Sequence, residues 1–238
     1  MHGRKSPRPL TEIADAAVEV FTAKGFRPAG ISDIAAALGL SHGALYTYVD
    51  SKQALLYLAL ARAVQPEMVA GLPVPVTAPP PDQVVAMLTT WAGAQNQEAL
   101  PKAGTGDPGT WQAERELGAI VDALYGFVER NRRAIQLIEQ CAADLPELAQ
   151  WFFVGQRRAL LDRLTDYLRS RIAAGKLRPV PDAPAAARFI NETIAWFAMH
   201  RHGDADSEML DDDACRATVR HLILAAFLPP PYPEVTHE

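Results

Sequence analysis

Cysteine is nearly missing from this chain of 238 residues. Cys141 and Cys215 alone build neither a disulfide framework nor a zinc cluster, which points to a reducing, cytosolic setting. Long apolar runs are missing too. The longest, such as 222–228, fall far short of the roughly 20 residues a membrane-crossing helix needs, so no membrane partner is expected. The first residues are basic but lead into an amphipathic, acid-bearing segment, unlike a secretory leader. No phosphate-cradling glycine loop of either common pattern occurs. Net charge is −5, which by itself argues against a nucleic-acid partner.

What the chain does have is helical periodicity, punctuated by proline. No strand or hairpin pattern competes with it. Ile13, Ala17, Val20 and Phe21 share one face of a first helix, which Gly25 stops by taking a left-handed conformation. Short helices are expected over 31–38 and from Ser41, and a longer one over 51–71. Residues 72–81, Leu-Pro-Val-Pro-Val-Thr-Ala-Pro-Pro-Pro, read as a stiff, extended spacer and form the strongest break in composition. A loop is expected over 101–109, where three glycines and two prolines gather. Further helices are expected over 82–97, 111–130, 131–143, 145–174, 185–202 and 213–228. The proline-rich tail cannot extend the last of them.

Residues 31–46 have the grammar of a helix-turn-helix. Ile34, Ala35 and Leu38 give a first short helix its apolar face, and Gly39 supplies the positive φ of the turn. Leu40 plugs the small core and Ser41 caps the second helix. Gly43 in the first turn of that helix costs about 1 kcal/mol relative to alanine, a poor choice for packing alone but a gain in clearance near a partner surface. On spacing alone, a small helical subdomain with a solvated polar face remains an equal reading.

Wider elements add to this segment: Ala14–Ala17 through Phe21, Gly25-Phe26, Asp33-Ile34-Ala35, Gly39-Leu40-Ser41, Leu45-Tyr46-x-Tyr48 and Ser51-Lys52-x-x-Leu55-Leu56. In their order and spacing, residues from about Leu10 to Ala63 resemble the DNA-binding domain of the TetR/AcrR family of bacterial transcriptional regulators. The resemblance implies an all-α protein: an N-terminal helix-turn-helix DNA-binding domain followed by a larger helical ligand-binding and dimerisation domain. Its expected parts are a basic arm over 1–9, the DNA-binding domain over 10–63 with the helix-turn-helix at about 30–49, the larger domain over 64–228, and a tail over 229–238. The helix from Ser41 to about Thr47 would enter a major groove, with His42, Ala44 and Thr47 meeting base edges. Tyr46, Tyr48 and Lys52 would hold phosphates, joined by Ser32 and Ser41. Two residues depart from the family pattern. Gly30 stands where a capping Thr is usual, and Val49 replaces a usual Phe, leaving that edge of the small core less filled.

Charge distribution reverses the first inference from net charge. Residues 1–62 carry seven basic and five acidic side chains, a balance of +2, so the remainder carries −7. His2, Arg4, Lys5 and Arg8 make an acid-free arm able to follow phosphates.

The larger region is less specific. Phe189, Ile190, Ile194 and Phe197, with Val219, Leu222, Ile223 and Phe227, give the last two helices surplus apolar surface, which suggests a symmetric four-helix interface of a homodimer. The family resemblance implies the same dimer, suited to a palindromic double-stranded operator. The other reading is that this surplus seals the monomer core. Trp91, Trp111, Phe127, Trp151, Phe152 and Trp196 are candidates to line a pocket for an apolar or aromatic small-molecule effector, though plain core is the commoner role for such residues. Glu139, Asp144 and Glu192 would select a cationic ligand if buried. His200-x-His202 would sit on different sides of a helix, Asp211–Asp213 would cap one, and Ser207 and Cys141 have no base nearby in sequence. No metal, cofactor or catalytic residue is therefore expected. The leading expectation is a ligand-responsive repressor released from its operator by a small molecule, with 51–71 carrying the change. The alternative is a helical small-molecule binding protein whose helix-turn-helix no longer reads DNA.

Overall fold

Helical spacing is realised as helices. The structure, a computed structural model, describes residues 8–95, 110–207 and 209–230, and the side chains of 110 and 111 also fall outside the description. Most of the basic arm, the expected loop over 101–109 and most of the tail lie outside the described residues. In chain order the helices are α1 (Leu10–Lys24), α2 (Ile31–Ala37), α3 (His42–Leu45), α4 (Lys52–Val64), α5 (Pro66–Val69), α6 (Pro81–Gln95), α7 (Thr110–Ala142), α8 (Pro146–Ala149), α9 (Arg158–Ala173), α10 (Ala183–Ala198) and α11 (Asp212–Phe227). Among the described residues no helix is long and apolar enough to cross a membrane.

The chain forms two compact units, residues 1–95 with 133–156, and residues 96–132 with 157–238. The first unit thus joins the N-terminal residues to a later segment. Ile13, Ala17 and Phe21 of α1 pack with Leu55 and Leu58 of α4, all fully buried, and Ile34, Leu45 and Val49 complete the small core. Leu137, Ile138 and Cys141 from the end of α7, and Leu88 and Trp91 from α6, extend the same cluster. Arg62 clamps α4 to α1 through two hydrogen bonds to the Asp15 carboxylate, at 3.0 and 3.1 Å.

In the second unit, Leu117, Ile120, Val121 and Leu124 of α7 meet Leu164 and Leu168 of α9. Gly118 lets Arg220 lie across α7. A Cβ there would stand 2.5 Å from the guanidinium, which binds Asp122 at 3.1 Å. Arg171, almost wholly buried, pairs with Glu116 at 2.8 Å.

Several expected boundaries need correction. The helix expected over 51–71 stops at Val64, because Pro66 disfavours helical backbone at Gln65, whose φ is −145°. The helices expected over 111–130 and 131–143 are one. Asn131, expected at a break, donates its side-chain amide to the Phe127 carbonyl oxygen at 2.8 Å, and the helix continues. The stretch expected as one helix over 145–174 contains a π-helical segment, Gln150–Arg157, between α8 and α9. The 185–202 helix ends at Ala198, so His200 and His202 sit in a short 3₁₀ turn.

Five of the eight residues expected at a dimer interface are core instead. Ile190, Ile194, Val219, Ile223 and Phe227 are buried in the second unit, because α10 and α11 turn their more aliphatic stripes towards α7 and α9. Phe197 is half-buried beside them. Phe189 and Leu222 remain outside, 55% and 60% exposed, joined by Trp196 at 38%.

Candidate nucleic-acid interface

The helix-turn-helix is assembled by local caps and turns. Gly30 starts α2 without a capping hydroxyl, and the Asp33 carboxylate accepts from its backbone N–H at 2.8 Å. That hydrogen bond and the Lys24 ammonium hold the Asp33 carboxyl below its ordinary range. Gly39, at φ +62°, turns the chain between α2 and α3. The Ser41 hydroxyl accepts from the Ala44 N–H at 3.1 Å, and Ser51 caps α4 in the same way through Ala54.

These caps set one polar face outward. Ser32, Ser41, His42, Tyr46 and Thr47 are exposed, whereas Ala44, Tyr48 and Lys52 are half-buried. A Cβ built on Gly43 would meet nothing within 4 Å, so the start of α3 offers clearance to an approaching surface. The His42 and Tyr46 rings lie 5.3 Å apart, one turn along that face. Tyr46 is 41% exposed and is not buried against the helix pair.

Three expected contact groups already have partners inside the unit. Thr47 donates its hydroxyl to the Ala44 carbonyl oxygen at 2.7 Å. The Tyr48 hydroxyl accepts from the Arg8 N–H at 3.0 Å, which tethers the end of the basic arm. Lys52 donates to the Arg27 carbonyl oxygen at 3.1 Å, and its ammonium lies 4.7 Å from the Phe26 ring centroid. Two of the three ammonium protons of Lys52 remain for an anion.

The proline-rich segment 72–81 is tied to this element and is no free spacer. Val76 donates its N–H to the Tyr48 carbonyl oxygen at 2.8 Å, and its own carbonyl accepts from Asp50 at 3.1 Å, forming a parallel bridge. The Thr77 hydroxyl, together with Ser51, holds the Asp50 carboxyl below its ordinary range. Val49 and Val76 are both buried, so the core edge that Val49 was expected to leave open is filled from the spacer. Only the alternation of Val and Pro over 73–76 signals this, and stiffness is its more obvious meaning.

The six candidate pocket aromatics are not brought together. Trp91, Trp151 and Phe152 belong to the first unit, where Trp151 donates to Thr89 at 2.9 Å and its ring lies 6.4 Å from that of Phe152. Phe127 and Trp196 belong to the second, and the Trp111 side chain lies outside the described residues. Two of the three acids proposed for a cationic ligand, Asp144 and Glu192, are committed to named partners in the protein. Asp144 accepts from the Arg27 N–H at 2.6 Å, and Glu192 pairs with Arg157 at 2.6 Å and Arg188 at 2.9 Å. Burial raises the Glu192 carboxyl, but Arg157, Asn191 and Arg188 outweigh it and the net shift is downward. Among the described residues no three His, Cys, Asp or Glu side chains gather closely enough to hold a metal ion.

Comparison with known proteins agrees with this geometry. Residues 13–57 match the family model for bacterial regulatory proteins, tetR family. The HTH-type transcriptional repressor KstR2 of Mycolicibacterium smegmatis is 22% identical over 191 residues, 78% of each chain. The structure of the ketosteroid transcriptional regulator KstR2 of Mycobacterium tuberculosis superposes with a TM-score of 0.56 at 15% identity, covering 95% of this chain and 98% of that one. The structure of AibR in complex with isovaleryl coenzyme A and operator DNA gives a TM-score of 0.53 at 15% identity, covering 92% and 100%.

Proposed function

We propose that this chain, whose residues 13–57 match the tetR family of bacterial regulatory proteins, is a member of that family and a ligand-responsive transcriptional repressor that binds a palindromic operator as a homodimer in the cytoplasm. The observation that carries this reading is the outward face of Ser41, His42, Tyr46 and Thr47, held between two capped helix starts with open space at Gly43. Its chemistry suits a major groove: Ala44 and the Thr47 methyl against thymine methyls, the His42 imidazole against base acceptors. Tyr46, Tyr48, Lys52, Ser32 and Ser41 set register on phosphates.

For the dimer, Phe189, Trp196 and Leu222 supply the exposed apolar surface of α10 and α11, the kind of patch two copies bury in a symmetric pair. Such a pair presents two α3 helices to two half-sites, and an effector acts by favouring one separation of them over another. Related regulators are crystallised with small molecules, as the isovaleryl coenzyme A complex of AibR illustrates. Trp91, Trp151, Phe152, Phe127 and Trp111 keep their place as candidate effector contacts.

Footprinting of the DNA upstream of its own gene tests the reading. Protection of an inverted repeat, weakening as salt rises, is expected. Absence of salt-dependent binding at low ionic strength overturns it. That result would favour a small-molecule binding protein that has lost DNA reading, an alternative to which the internal engagement of Lys52 and Tyr48 lends support.

A further inference from the structure

The first unit contains a cavity of about 370 Å³ lined by residues of α4, α6 and α8 and of the segments around them, within the size range of small-molecule sites. Leu56 and Leu60 of α4 and Leu148 of α8 are its buried apolar lining, with Phe26, Tyr57 and Val84 half-buried around them. Trp91, Phe127, Trp151, Phe152 and Trp196, singled out in the sequence, do not border it. Its polar groups are few: Gln53, Glu147 and the Tyr57 hydroxyl. Among the described residues no lysine or arginine lines it, so an anionic ligand would meet the Glu147 carboxylate with no cation in that lining to offset the repulsion. A donor reaching Glu147 or Gln53 would be accepted.

We propose that this cavity is a binding site for a compact, uncharged, largely apolar molecule bearing one hydrogen-bond donor, and that its occupancy is read directly by the helix-turn-helix. Binding in the cavity stands on its own, whereas the consequence for DNA rests on the regulator reading above.

Two structural connections carry the coupling. Phe26 is both a wall of the cavity and the ring beneath the Lys52 ammonium. The neighbouring Arg27 is held at its carbonyl by Lys52 and at its N–H by Asp144, which precedes the lining residue Leu145. A guest that displaces Phe26 therefore moves the lysine expected on a phosphate. The second connection is the spacer. Ala78 and Pro79 border the cavity, and Val76 and Thr77 just before them are bonded to Tyr48 and Asp50 at the end of the DNA-reading element. A guest that shifts 78–79 strains the bridge that positions Tyr48. Neither connection leaves the first unit. The molecule changes DNA affinity only as far as it binds one arrangement of these residues better than the other.

The test uses N-phenyl-1-naphthylamine, a neutral apolar fluorophore with one N–H, and the full chain. Saturable fluorescence enhancement is expected for the wild type. Ala78→Trp and Val84→Phe, which fill the cavity from the spacer and from α6, should each weaken it about tenfold or more while still melting cooperatively. Saturating probe should weaken wild-type binding to a labelled duplex from upstream of the gene, and leave Ala78→Trp unaffected. No saturable enhancement, or equal enhancement in wild type and both variants, overturns the site. Probe binding that the two variants abolish but that leaves DNA affinity unchanged overturns the coupling. A wild type that ignores DNA at every salt concentration defeats the regulator reading instead, and the fluorescence comparison still decides whether the cavity is a site.

Discussion

Lys52 places its ammonium 4.7 Å from the centre of the Phe26 ring, with the Arg27 carbonyl as a second partner. The lysine expected on a phosphate is therefore already held in one place before any DNA arrives. A held side chain has less freedom to lose on binding than a free one. Phe26→Leu removes the ring and keeps the bulk, and an exposed cation–π contact contributes about 0.5–1 kcal/mol. Expected is a two- to five-fold loss of affinity (about that energy range) for operator and random duplex alike. Lys52→Ala should also lower the slope of log affinity against log salt by about 1. Anisotropy titrations over a salt series measure both, and a change in sequence preference in either variant would contradict the assignment.

Thr47 argues a different point. Its hydroxyl is spent on the Ala44 carbonyl oxygen at 2.7 Å, which leaves the methyl as its chemically distinct feature on an exposed site. If the methyl reads DNA, Thr47→Val keeps the preferred sequence and Thr47→Ser loses part of it, about 1 kcal/mol at one base-pair position. Selection from a randomised operator library separates the two outcomes. Preference lost in the valine variant and kept in the serine variant would assign reading to the hydroxyl instead.

The contrast between these residues and the rest of the chain shows what a sequence makes legible. The caps at Ser41, Ser51, Asp182 and Asp211 are local events, a side chain bonding an N–H three residues on, and they appear where the residue types place them. The positive φ at Gly25, Gly39 and Gly175 is equally local. Long-range choices are not. Two apolar stripes on α10 look alike in a helical wheel, and only packing against α7 and α9 decides that Ile190 and Ile194 face inward and Phe189 outward. The bridge from Val76 to Tyr48 and Asp50 spans more than two dozen residues and uses backbone groups, so the Val-Pro alternation over 73–76 is its only and ambiguous trace in the sequence.

Phe189 and Leu222 then separate dimerisation from folding. Each is more than half exposed, so Phe189→Arg and Leu222→Arg place a charge in water within one protomer and bury it in a pair. Both variants should fold, with melting close to wild type at low concentration, yet run as monomers in size-exclusion chromatography with light scattering. Ile223→Ala, by contrast, empties a fully packed core position and should cost about 2–5 kcal/mol in denaturant unfolding. A dimer that survives both arginine variants would place the interface elsewhere.

Cys141 offers a probe of the joint between α7 and the DNA-reading unit. Burial pushes its thiol up to about 12, and the neighbouring Asp144 carboxylate adds to the shift. The thiolate, the reactive form, is then scarce at pH 8, on the order of one part in ten thousand. Native protein should leave Cys141 unmodified by a maleimide over hours, with labelling appearing only as denaturant opens the unit. Asp144 also accepts from the Arg27 N–H at 2.6 Å, so Asp144→Asn exchanges a charge-assisted hydrogen bond for a weaker one. That variant should label Cys141 at lower denaturant, as read by peptide mass spectrometry. Rapid labelling of the wild type at pH 8 without denaturant would show that α7 opens locally, and that Cys141 is not held in the core of the first unit.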